Sequence, residues 1–255
     1  MTDRRKFLTR TAASLTLLSL GGCTKLSQKK WVADLLGEVE ILSRRAQRLF
    51  AGSHALAPEF SKADIAPEFR GNGTTRPDTI DYQTHAANDF KDWRIDVTGL
   101  VEHPLSLSMA ALKEFPSRTQ ITRHDCVEGW SCIGQWTGTP LASVLALAKP
   151  KQNARFVVFY CADNMASAEE NPALYYESLD LLEATHPQTL LAYELNERPL
   201  PIQNGAPVRL RAERQLGYKM AKYINKIELV ADFTHVAGGK GGYWEDQGYS
   251  WYAGI

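Results

Sequence analysis

The order of patterns along the chain predicts an α+β fold, and three observations carry that expectation. Strand-like and helix-like stretches are mixed, without the regular strand–helix alternation of a doubly wound sheet. The strand-like runs, such as RFVVFYC at 155–161 and YINKIELV at 223–230, are bounded by Gly, Pro and Asn turns. The chain has 255 residues, 44% hydrophobic, 23% charged and 10% aromatic, which is enough to bury one good core and fits a single catalytic-sized domain.

The first 22 residues read as a targeting segment. Arg4 and Arg5 precede Phe7 and Leu8, and an apolar run covers 12–20. This resembles a twin-arginine (Tat) export signal, a route that moves folded proteins and so suits one carrying a cofactor. The run is too short for a conventional membrane-spanning helix. It ends in LGGC at 20–23, which resembles a lipobox, so Cys23 is expected to carry the lipid and the domain to face the periplasm. The competing reading is an ordinary small-residue cleavage site.

Residues 23–78 are expected to form a helix and an extended arm. Val32, Leu35, Val39, Leu42, Ala46 and Leu49 recur three and four apart, the spacing of an amphipathic helix over 31–50. From 51 to 77 the composition turns to Pro, Gly and Asn, and APEF occurs twice without making a repeat. The catalytic domain is placed at 79–255. WRIDVTG at 93–99 alternates as a half-buried strand does, and Ser108 caps a helix running to Phe115. LASVLALAK at 141–149 reads as a helix, 155–161 as a buried strand and 179–184 as a short helix. The stretches 190–201, 205–211 and 223–230 read as strands. The Gly- and aromatic-rich tail, GGYWEDQGYSWYAGI, is expected to pack on the domain or to close over a substrate entrance.

Function classes narrow quickly. Lys plus Arg and Asp plus Glu both number 29, so nothing global draws the chain to nucleic acid. Cys23, Cys126, Cys132 and Cys161 form no C-x-x-C pair and no C-x-x-C-H sequence, so redox chemistry would need a separate electron carrier. The richest stretch is 123–140, RHDCVEGWSCIGQWTGTP. Cationic neighbours such as Arg123 and His124 favour a thiolate at Cys126, which is a nucleophile and a soft metal ligand. Glycines admit a bulky group, and Trp130 and Trp136 would wall it from water. A free cysteine is otherwise a small buried hydrophobe, and both readings stand on these residues alone. A second cluster, NGAPVRLRAERQLGYKMAK at 204–222, offers Arg209, Lys219 and Lys222 with exposed glycine amides, an anion site or a solvated basic face.

The R-x-x-C-V-E-G-W-S core followed by W-x-G-x-P-L resembles the molybdenum-ligating signature of the sulfite oxidase superfamily, on its periplasmic, sulfoxide-reducing branch. The resemblance implies a mixed sulfite-oxidase-type fold and a molybdenum-molybdopterin cofactor whose metal takes the Cys126 thiolate. It makes Asn204, Arg209, Met220, Ala221 and Lys222 pterin or phosphate contacts. Tyr82 is the counterpart of an N-terminal pterin contact, and Cys161 stands where the family has a small polar residue near the metal. Arg123 and His124 are expected to polarise substrate oxygen or deliver protons. The implied activity is oxygen-atom transfer on a small or protein-bound S-oxide or N-oxide. A membrane haem b or quinol-linked subunit would supply electrons, and a monomer is expected. The rival readings are a sulfite dehydrogenase, a non-catalytic binding lipoprotein and a cysteine-nucleophile hydrolase.

Overall fold

The computed structural model describes Val39, residues 42–49, Gly52, residues 55–166 and residues 173–255. The leader and the lipidation site expected at Cys23 lie outside the described residues. The chain divides into two units, Met1–Gly52 and Ser53–Ile255. In the first, residues 42–49 are helical with Leu42 and Leu49 exposed. Among the described residues no helix is long and apolar enough to cross a membrane.

The second unit holds two five-stranded sheets. The first is built from β1 (Arg94–Gly99), β2 (Leu105–Ser108), β5 (Phe156–Asn164), β6 (Leu174–Asp180) and β10 (Ile224–Val230), in the order β2-β1-β10-β5-β6. Only β1 and β10 run parallel. β1 shows the expected alternation, with Ile95 and Val97 buried and Arg94 and Asp96 exposed. β5 lies between β10 and β6, and Val157, Val158 and Phe159 are all buried, which explains its unbroken apolar run.

The second sheet runs β3 (Arg118–Asp125), β4 (Ser131–Pro140), β7 (Leu190–Leu195), β8 (Arg198–Pro199), with β9 (Arg209–Arg211) also paired to β7. β3 and β4 form a hairpin through the cysteine-bearing stretch. Sequence periodicity does not show it, because the inward positions of β3 are Gln120, Thr122 and His124, all buried and all polar.

The helices are short. They are α1 (Ile80–Ala87), α2 (Met109–Lys113), α3 (Leu141–Ala148), α4 (Leu181–Ala184) and α5 (Tyr243–Asp246). The Ser108 hydroxyl accepts the Ala111 N–H at 3.1 Å, the cap expected of it, though α2 stops two residues before Phe115. α4 starts later than residue 179 because Leu179 and Asp180 finish β6, and Asp180 then caps the helix through the Glu183 N–H at 3.0 Å. One core joins Ile95, Phe159 and Ile227 of the first sheet to Leu191 and Leu210 of the second, with Leu141 and Val144 of α3.

Residues 55–79 run mainly extended, with one 3-10 turn at Lys62–Asp64. They are tied down along their length: Phe60 N–H to Ile121 O at 2.9 Å, Ala66 N–H to Ile133 O at 3.0 Å, and Ala57 N–H to Gln188 Oε1 at 2.8 Å. Phe69 then packs edge-on against Trp136, ring centres 4.9 Å apart. This path brings residues 72–74 beside the hairpin turn and the segment after β9, where the site forms.

Candidate functional site

Cys126 follows the last residue of β3 and opens the hairpin turn, its N–H bonded to Trp130 O at 2.9 Å and its carbonyl accepting the Gly129 N–H at 3.0 Å. It lines a cavity of ≈ 170 Å³ together with Met220 and Lys222, so three of the expected cofactor residues share one hollow. A larger hollow of ≈ 580 Å³ lies between the arm and the β7–β8 turn, but of the expected groups only Asn204 reaches it. Size therefore does not locate the chemistry here.

Strand alternation decides what accompanies the thiol. Arg123 points to the outer face of β3, 53% exposed, and pairs with Asp125 at 2.9 Å. His124 is fully buried beneath the hairpin. Neither residue is among those lining the cavity. Burial, followed by Arg211, Arg209 and Lys222, holds the His124 imidazole well below its usual value, so it is neutral. Arg211 donates to Nδ1 at 3.1 Å, which places the His124 proton on Nε2. Nε2 has no hydrogen-bond partner among the described residues and faces Gly217, where an added Cβ would come within 2.4 Å.

The thiol also differs from expectation. Burial is the first influence on Cys126 and pushes it up, against which the Glu128 N–H and Arg70 pull only in part. A metal ion bound at the sulfur would favour the thiolate here.

The segment 204–222 comes together as one buried patch. Arg209, fully buried on β9, donates to Asn204 O at 3.0 Å and Met220 O at 3.4 Å, and its guanidinium lies 5.1 Å above Trp136. Leu210 N–H reaches Ala221 O at 2.7 Å, and Arg209 bridges Lys222 in register. Gly205, at φ +113, lets Arg209 and Lys222 close in; an added Cβ would meet both near 3.0 Å. The Lys222 ammonium donates to Asn72 O at 2.6 Å and Gln203 O at 3.4 Å, and also to Thr74 O. Neither cation is in a salt bridge among the described residues, and each is offset only in part, Lys222 by Asp163 of the same cavity and Arg209 by Glu213. The strain shows in both: burial first, then the neighbouring arginine, lowers Arg209 to about 9 and Lys222 to about 7.

The remaining expected residues stand behind this patch. Asn204 is buried, its amide 3.4 Å from Phe69 O. Tyr82 on α1 donates to Ala206 O at 2.7 Å and braces the turn that carries Asn204. Cys161, at the buried end of β5, is pushed well up by burial and by Asp163, and is a thiol. Trp136 is fully buried under Arg209 and Arg211, whereas Trp130 is half-buried, its indole N–H on Glu128 at 2.9 Å. Among the described residues no three His, Cys, Asp or Glu side chains form a ready-made metal cage. The donor set is one soft thiol facing buried cations, which fits a metal carried by a phosphorylated organic ligand rather than a metal held by protein alone.

Comparison with known proteins agrees. The model of the oxidoreductase molybdopterin binding domain matches residues 82–235. The chain belongs to this family. A chain of Azospira oryzae, named provisionally as protein-methionine-sulfoxide reductase subunit YedZ1, is 34% identical over 98% of this chain and 87% of its own length. The protein-methionine-sulfoxide reductase catalytic subunit MsrP of Campylobacter jejuni is 38% identical over 56% of this chain and 50% of its own. MsrP of Xanthomonas campestris is 38% identical over 57% and 47%. This chain thus spans about half the length of the MsrP relatives. The solved sulfane dehydrogenase SoxCD of Paracoccus pantotrophus is similar at TM-score 0.49 and 22% identity, over 56% of this chain and 39% of that one.

The cavity of this molybdopterin-family oxidoreductase is also lined by residues that sequence reasoning passed over. Asp163, buried and raised to about 6 mainly by burial, lines the cavity with one carboxylate oxygen unbonded among the described residues. It lies two residues past Cys161 on the same strand, which is the one signal that pointed to it. Asn72, Gly73 and Thr74 reach the site from the arm, where a turn-like composition hides them.

Proposed function

We propose that the chain binds molybdenum-molybdopterin and reduces S-oxides or N-oxides on the periplasmic side of a membrane. The supporting observation is the shared cavity of Cys126, Met220 and Lys222, with Arg209 buried behind it and neither cation in a salt bridge among the described residues. Cys126 would hold the metal through its sulfur. Arg209 and Lys222 would receive the phosphate of the pterin, with the Met220 and Ala221 backbone and Asn204 beside them. Tyr82 and Cys161 would support this cradle from behind. When bound, the cofactor supplies two-electron exchange of an oxygen atom.

The oxide takes up two electrons and two protons and leaves as the reduced compound and water. The protein's part is to hold the cofactor, keep the metal end partly dry and admit the oxide. Relatives named as methionine-sulfoxide reductases support an S-oxide as substrate, small or protein-bound. Electrons would come from a membrane haem b or quinol-linked subunit. Tat export, lipidation at Cys23, the division at residues 22 and 78, and a monomeric state complete the reading.

Anaerobic turnover tests it. A reduced viologen dye should be oxidised when methionine sulfoxide is added to protein with bound molybdenum, two dye equivalents per oxide. Sulfite oxidation by an artificial acceptor, with no oxide reduction, would reverse the direction proposed.

A further inference from the structure

The family match ends at residue 235, yet residues after it build part of the cavity. Trp244 and Tyr249 both line it, their rings stacked at 5.3 Å and 25°. Tyr218 meets Tyr249 edge-on at 5.4 Å, and Met165 and Val127 add apolar lining to the cavity that Lys222 and Asp163 also line. The tail does not hang free. Glu245, buried in α5, meets the Lys219 ammonium at 2.5 Å, and Lys219 also holds Glu177 of β6. Asp246 accepts the Gly238 and Lys240 N–H groups at 2.9 and 3.1 Å and the Tyr176 hydroxyl. Trp251 donates to Ser178 Oγ at 2.8 Å, and Leu216 N–H reaches Ala253 O at 2.9 Å. These ties run to β6 and to the 216–219 turn, the same turn that leads into Met220 and Lys222. The two aromatic rings are therefore held in fixed relation to the cofactor patch rather than swinging as a lid.

We infer that Trp244 and Tyr249 form the specificity wall of this enzyme, selecting uncharged oxides that carry a flat or apolar substituent beside the oxidised atom. The inference rests on the oxide-reducing reading above. A stacked indole and phenol offer a large rigid apolar face, which favours an aryl or thioether group and gives nothing to a small hydrated anion. Tyr249 is 41% exposed, so the wall begins at the mouth and meets the substituent as it enters.

The test compares methyl phenyl sulfoxide with dimethyl sulfoxide, using reduced viologen as donor, in the wild type, Trp244→Ala, Trp244→Phe and Tyr249→Ala, each assayed for molybdenum. The wild type should favour the phenyl compound in kcat/KM. Trp244→Ala should lower that preference roughly tenfold, mainly through KM, and Trp244→Phe should restore most of it. Turnover of dimethyl sulfoxide should fall by less than that of methyl phenyl sulfoxide. Tyr249→Ala, at an exposed position, should shift the ratio the same way and guards against a folding defect. Titration of methyl phenyl sulfoxide against tryptophan fluorescence gives a readout without turnover: quenching in the wild type that Trp244→Phe loses supports the wall. An unchanged ratio, equal loss with both oxides, or molybdenum lost from the Trp244 variants with selectivity intact would overturn it. Molybdenum present but no turnover of any oxide would defeat the oxide-reducing reading, and the fluorescence result would still decide whether the wall binds apolar ligands.

Discussion

On the proposed function Cys126, Arg209 and Lys222 carry the chemistry at the scale of single residues, and each makes a separate prediction. Arg209→Ala and Lys222→Met should copurify with less molybdopterin than wild type, measured as released pterin fluorescence, whereas Arg209→Lys should retain an intermediate amount because a point charge replaces a fork. Equal pterin in all three variants would remove these cations from the phosphate site. Arg123→Ala should leave turnover within about twofold, since its partner Asp125 lies on the outer face and an exposed pair contributes little. A loss of a hundredfold would put Arg123 back in the mechanism. Lys222 also sets a pH dependence. Its folded value is lowered to about 7 from 10.5, so the unfolded chain binds the extra proton between those values. Stability from this group is present above pH 10.5 and is lost as the pH falls toward 7. Urea unfolding of cofactor-free protein should therefore show greater stability at pH 9.5 than at pH 7.5, and Lys222→Met should flatten the difference. The opposite slope, or no effect of the substitution, contradicts the burial of this ammonium.

Among the elements, legibility followed the character of the buried face. β1, β5, α3 and β10 bury apolar residues and were readable from period and composition. The β3–β4 hairpin buries Gln120, Thr122 and His124, so no apolar alternation marks it, although its motif marks the chemistry. The motif located Cys126 and the 204–222 patch, but a linear string does not say which side of a strand a residue occupies. That is why Arg123 was placed with the thiol and Asp163 was not. The 216–219 turn is the element that joins hairpin, cofactor patch and tail, and its tightest point is Gly217 against His124. The His124 ring is fixed by Arg211, so a Cβ at 2.4 Å has no easy escape. Gly217→Ala should cost about 1–3 kcal/mol in unfolding free energy and lower cofactor content with it. Wild-type stability in that variant would mean the turn is not packed as described.

For the molecule as a whole, zero net charge and a main core shared by the two sheets describe a scaffold, while the cost of function is concentrated in one place. Arg209 and Lys222 donate to carbonyl oxygens, and Asp163, raised mainly by burial, and Cys126 line the cavity with Lys222. A fold tolerates this when a bound group repays it, and on the proposed function an anionic phosphate would answer the two cations and a metal the Cys126 sulfur. The central claim is therefore that Cys126 holds molybdenum in this cavity. The direct measurement is metal analysis of protein purified from a molybdenum-replete host able to export by the Tat route, beside Cys126→Ser. About one molybdenum per chain is predicted, with the metal signal altered or lost in the variant. Well-folded protein without molybdenum, or a variant whose metal signal matches the wild type, would contradict it.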